Sequence, residues 1–88
     1  MIIDFHSKFR KNFKKRVAFN PALKQKFQQR TELFRENPKN PELHDHQLTG
    51  KKRSFRAFSV TGDIRVVYRI IDQELVRFYD IGSHNQVY

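Results

Sequence analysis

The chain predicts an α+β fold in the order β-α-α-β-β-β: a short edge strand, then a helical hairpin, then a three-stranded antiparallel meander on which the hairpin packs. Three observations carry this expectation. Phenylalanines recur at helical spacing early in the sequence, prolines at 38 and 41 stop that pattern, and from Lys52 onward the composition turns aromatic and β-branched. At 88 residues the chain reads as one domain, 1–88, with one modest core. A domain this small hides only roughly 60–65% of the surface that its unfolded chain exposes.

Met1 to Phe5 is short and apolar enough for an edge strand. Phe5, Phe9, Phe13 and Val17 then recur every fourth residue with lysines between them, so residues 6 to 17 read as an amphipathic helix with its aromatic stripe inward. Asn20-Pro21 supplies an N-cap and a first-turn proline, and Leu23, Phe27, Thr31 and Phe34 continue a second helix over 21 to 36. Asn37-Pro38-Lys39-Asn40-Pro41 ends it, because proline removes a donor and restricts the residue before it. Phe55 to Val60, Ile64 to Ile71 and Leu75 to Ile81 are the three expected strands, joined by breaks short enough for hairpins. In the second strand, Ile64, Val66, Tyr68 and Ile70 are expected to face the helices. Arg65, Val67 and Arg69 share the opposite face, which should present guanidinium groups.

The net charge is +9, and it is uneven: residues 1–41 hold eleven Lys/Arg against three Asp/Glu, the remainder seven against six. Such a surface favours nucleic acid, an acidic protein or anionic lipid, since each bound phosphate releases counterions and the local potential speeds encounter. With no cysteine, a disulfide framework and a thiolate metal site are excluded. The opening residues carry an acid at position 4 and no long apolar run, so neither a signal peptide nor a membrane span is expected. A soluble, cytoplasmic protein fits this composition.

Two short stretches place an imidazole near a glycine: Asp45-His46-Gln47-Leu48-Thr49-Gly50 and Gly82-Ser83-His84. Together with Pro41 before them, Arg65-Val66-Val67-Tyr68 between them and a terminal aromatic, Tyr88, they resemble RelE-type toxins of bacterial toxin–antitoxin modules, closest to the YafQ branch. The resemblance covers essentially the whole chain. It implies a RelE-like fold and a small basic endoribonuclease that cuts mRNA, commonly in the ribosomal A site, and is silenced by a cognate antitoxin. Matched residue by residue, it places His46 at the histidine before Leu-x-Gly, Asp63 at the acid before the arginine strand, His84 at the late histidine and Tyr88 at the terminal aromatic. Two departures stand out. Ser59 occupies a position where YafQ-like proteins have a further histidine, and Ile64 one where they have an aromatic.

The chemistry can also be reasoned from the residues. Cleaving RNA without a metal requires a base for the 2′-hydroxyl, charge for a crowded phosphorane and an acid for the departing 5′-oxygen. Histidine suits either proton transfer and arginine suits the phosphate. The expected roles are His84 as general acid, Arg65 as transition-state clamp and His46 or Asp63 as base. Arg56, Lys51 and Lys52 would contact RNA phosphates, and Tyr88 would stack on a base. Each has a plainer reading: His84 as a solvated tail residue, His46 as a turn residue, Asp63 as an ordinary turn aspartate, Arg65 as a strand arginine paired with Asp63 or Asp80. His6 and His44 are read as surface residues. His44-Asp45-His46 lacks a third and fourth ligand for a metal, and no cofactor is expected. The expected partners are mRNA, the ribosome and an acidic antitoxin. Two rival readings are a ParE-like inhibitor of DNA gyrase and a catalytically silent module that only binds RNA or an antitoxin.

Overall fold

A computed structural model describes residues 1–88. The chain runs β1 (Ile2–Phe5), α1 (Ser7–Arg16), α2 (Pro21–Glu36), a 3₁₀ turn (Pro41–Leu43), β2 (His46–Gln47) and a second 3₁₀ turn (Gly50–Lys52). There follow β3 (Arg56–Ser59), β4 (Ile64–Ile70), β5 (Leu75–Ser83) and α3 (His84–Val87). The helices and the three-stranded meander lie where the sequence patterns put them, and the fold class is the α+β one expected. Three details go beyond it. The edge strand β1 pairs with β5 in parallel, Ile2 opposite Leu75; the two-residue β2 joins the other edge; and the last turn of chain folds into α3. The sheet order is β1-β5-β4-β3-β2.

Both helix starts follow from their caps. The His6 ring accepts a hydrogen bond from the Lys8 N–H, and the Asn20 side chain accepts one from Leu23 ahead of Pro21. His6 is therefore a cap whose ring also stacks on Tyr79, rather than only a surface residue.

The main core lies between the helices and one face of the sheet. Phe9, Phe27 and Phe34 meet Phe58, Tyr68 and Phe78 there, with Val17, Leu43, Val66 and Ile81 filling the periphery. The opposite face of β4 differs from expectation. Val67 is buried in a second, small cluster with Leu48, Ala57 and Val87, so only Arg65 and Arg69 bring charge there. Ile70, expected against the helices, is exposed, although its cross-strand partner Val76 is buried in the main core.

A bulge lets β5 serve both cores. Val67 pairs with Asp80 but Tyr68 pairs with Phe78, which leaves Tyr79 as the extra residue. Phe78 thus faces the helices while Asp80 and Gly82 share the face of Val67 and Arg65. Asp80 is buried and ties α1 to this strand: its Oδ1 accepts from Asn12 at 2.7 Å, and Arg16 and Lys8 lie at 3.5 and 3.6 Å. Gly82 makes room for two side-chain ends, since a Cβ there would sit 2.6 Å from Gln86 Oε1 and 2.7 Å from Arg16 Nη1 and would displace them. No helix is long and apolar enough to cross a membrane.

Candidate active site

The site forms on the sheet face turned away from α2, where the ends of β2, β4 and β5 meet. Gly50 closes the turn after β2 with φ +65°, a conformation that a side chain disfavours. α3 begins directly after β5 with a capping box, in which the Ser83 N–H donates to Gln86 Oε1 at 2.8 Å. Val87 anchors the helix in the small core, and Lys52 Nζ donates to the Val87 carbonyl at 2.7 Å. Helix and turn are thereby fixed to each other.

This packing brings His46, Lys52, His84 and Tyr88 together around one cleft of about 350 Å³. Tyr88 stands between the two imidazoles. Its ring meets His84 edge-on at 4.5 Å and His46 at 6.1 Å between centroids, and its hydroxyl lies 3.3 Å from His46 Nε2. On its far side, the Arg65 guanidinium carbon is 5.9 Å from the centre of the same ring. Burial pushes the Tyr88 phenol above its ordinary pKa of 10.0, while Arg65 pulls it the other way. At neutral pH its hydroxyl therefore keeps its proton and is able to donate to His46.

The His46 ring is oriented from its other side as well, where Nδ1 is 3.0 Å from the carbonyl of His44. A carbonyl can only accept, so this contact is a hydrogen bond when Nδ1 carries the proton, the form in which the neutral ring leaves Nε2 unprotonated towards the cleft.

Arg65 borders a second, larger cleft of about 650 Å³, which it shares with Lys26 and Arg30 of α2, His44 and Ser59. Cross-strand pairing sets Arg65 opposite both Ser59 and Gly82. One of its guanidinium nitrogens, Nη1, is buried without a hydrogen-bond partner, and Arg65 forms no ion pair with Asp63 or Asp80. A buried cationic donor left unpaired is costly unless a ligand supplies the acceptor.

Asp63 and Arg56 lie outside the cleft that His46 and His84 share. Asp63 sits exposed at the β3–β4 turn, lines neither cleft and is held through its own backbone by Thr61. Lys51 is exposed beside the site without a partner, and Lys52 lines it while bracing the α3 backbone. Arg56 departs most from expectation. It lies on the helix-facing side of β3, opposite Tyr68, and its Nε and Nη2 both reach Asp45 at 2.7 Å. Asp45 also accepts from the Tyr68 hydroxyl and is nearly inaccessible. Burial and the Asp45 charge push the Tyr68 phenol well above its ordinary range, so it remains a donor. Sequence reasoning missed this cluster, because Asp45 gains its partners only through tertiary pairing. No three His, Asp or Glu side chains stand close enough together to hold a metal ion.

A family model described as a bacterial toxin of type II toxin-antitoxin systems, YafQ, matches residues 1–88. Among solved structures, a metal-bound toxin from Helicobacter pylori is 30% identical, with a TM-score of 0.75 over 100% of this chain and 99% of that one. YafQ from E. coli, solved as the DinJ-YafQ toxin–antitoxin complex, is 22% identical, with a TM-score of 0.76 over 99% of this chain and 96% of that one. A YoeB/ParE toxin from Agrobacterium tumefaciens is 13% identical, with a TM-score of 0.80 over 96% of this chain and 99% of that one. No curated protein sequence gives a match.

Proposed function

The chain belongs to the YafQ family of bacterial type II toxin–antitoxin toxins, and on that premise we propose that it is a metal-independent endoribonuclease that cleaves mRNA in the ribosomal A site. The observation that carries this reading is the convergence of His46 and His84 on one cleft, beside an arginine whose buried Nη1 has no partner.

In this mechanism the RNA 2′-oxygen attacks phosphorus while its proton passes to His46 Nε2. The P–O5′ bond breaks as the 5′-oxygen takes a proton from His84. Arg65 pairs with the non-bridging oxygens as charge builds on the phosphorane, an interaction strongest in the transition state. Tyr88 holds the place of the 2′-hydroxyl in the free protein, and its ring offers a surface on which a base can stack. Asp63 is the weaker candidate for the base, since it does not line the cleft that His46 and His84 share. Lys26, Arg30 and Lys51 extend the cationic surface that would follow the RNA backbone.

The proposed partners are mRNA, the ribosome and an acidic antitoxin whose binding covers the Arg65 face; the E. coli relative YafQ is solved in a toxin–antitoxin complex with DinJ. A gyrase inhibitor would have no use for two imidazoles converging on one cleft, which favours the nuclease over that rival. The test is to incubate purified protein with mRNA, with and without ribosomes, and to map the new ends. A 5′-hydroxyl with a 2′,3′-cyclic phosphate or 3′-phosphate is expected. Intact RNA in both arms, or 3′-hydroxyl ends, would overturn the proposal.

A further inference from the structure

We infer that the Asp45–Arg56–Tyr68 cluster and the left-handed backbone at His44 form a positioning device that fixes the tautomer and orientation of His46. The inference rests on the proposed nuclease reading for its consequence, but not for its geometry.

His44 is the only non-glycine residue with positive φ, at φ 49° and ψ 38°. That conformation is uncommon for a residue with a side chain, histidine being among those that adopt it more readily. Here both neighbours are anchored. Leu43 is fully buried in the main core, and the Asp45 side chain is only 6% exposed, held by two guanidinium nitrogens of Arg56 and by the Tyr68 hydroxyl. The His44 N–H also closes the 3₁₀ turn onto the Pro41 carbonyl at 3.2 Å. With its flanks fixed, residue 44 has one way to turn, and its carbonyl points at His46 Nδ1, 3.0 Å away.

The carbonyl excludes the tautomer with its proton on Nε2. A histidine without this partner would divide between two tautomers, and only one of them presents a proton acceptor to the cleft. Both oxygens of Asp45 are engaged, so it is not itself a base. Its influence on the reaction runs through the backbone of residues 44 to 46. Arg56, too, acts here and not on phosphate. The His44 imidazole is incidental to the device; its main-chain carbonyl is what matters.

Long-range ¹H–¹⁵N correlation of the His46 ring in the free protein, at a pH where the imidazole is neutral, reads the tautomer directly and needs no activity. The wild type should show the Nδ1–H form alone. Asp45→Asn and Tyr68→Phe should each give a mixture of tautomers, and on RNA should lower kcat by about 10–100-fold, as for other groups that orient a ligand from behind, with KM little changed. His44→Gly keeps the carbonyl and accepts positive φ, so it should retain the Nδ1–H tautomer. Tyr68→Phe deletes a single oxygen and serves where Asp45→Asn unfolds. An Nε2–H tautomer in the wild type overturns the inference, and so does an unchanged tautomer in Tyr68→Phe. Loss of the Nδ1–H form in His44→Gly would show that the imidazole, not the backbone, does the work. If the wild type cuts no RNA, the nuclease reading falls while the tautomer measurement still decides this one.

Discussion

His84 projects from the first residue of α3 and touches Tyr88, and nothing in either core depends on it. His84→Ala should therefore stay folded, still bind RNA and lose about 10²–10⁴-fold in cleavage if the imidazole is the general acid. Arg65→Ala should lose about 10²–10³-fold through unneutralised transition-state charge. Activity close to wild type in His84→Ala would remove it from the mechanism. At the far edge of the sheet, Asp4 and Arg77 face each other across β1 and β5 with two hydrogen bonds, of 2.9 and 3.0 Å. Hydrogen bonding to Arg77 holds the Asp4 carboxyl below its ordinary 3.8. A depressed carboxylate stabilises the fold above its unfolded pKa, and that contribution fades as pH falls through the folded value. Asp4→Asn should thus have a lower urea midpoint than wild type at pH 7, with the gap closing below about pH 3.8. At this scale the sequence was legible where chemistry is intrinsic to the side chain: His46, His84, Arg65 and Tyr88 are recognisable by type and context. The pairing of Arg56 with Asp45 was not legible, because Asp45 is placed by the pairing of β2 with β3 and by Tyr68, 23 residues further on.

α2 shows what an element contributes beyond its residues. Phe27 lies in the main core with ring centroids 5.9 Å from Phe9, 5.0 Å from Phe13 and 6.4 Å from Phe78, so it joins both helices to the sheet. Phe27→Ala should cost about 3–5 kcal/mol, read as a fall in the denaturation midpoint. An unchanged midpoint would show that the hairpin is held by other contacts. The helices and the main strands were legible because each has a strong period and a capping or turn signal at its ends, as with Asn20-Pro21 before α2. β2 and α3 were not. Two residues of strand and four of helix carry no periodicity, and each exists only because Leu48 and Val87 bury themselves on Val67 and Ala57. The parallel pairing of β1 was equally hidden, since a four-residue apolar segment does not encode the direction of its neighbour.

Across the whole molecule, the charge of +9 sets how RNA is approached. If about four to six phosphates are neutralised, log affinity should fall with log salt at a slope of roughly −3 to −4 for a single strand. Titrations with a non-cleavable oligonucleotide at several salt concentrations would measure it, and a flat dependence would contradict a phosphate-led contact. Fold class and overall charge were the most legible properties of all, because both are sums over many residues and tolerate local error. The join of β1 to β5 has a kinetic consequence. Ile2 meets Leu75 from the other end of a long stretch of chain that holds both helices and the rest of the meander, and closing so long a loop costs entropy before any contact repays it. The meander and the helical hairpin, whose partners are near in sequence, should form first, and β1 should dock last. Weakening that seam ought then to leave the rate of folding unchanged and quicken unfolding. In a chevron plot, Asp4→Asn should shift the unfolding limb alone, marking the seam as the place where the native structure first opens.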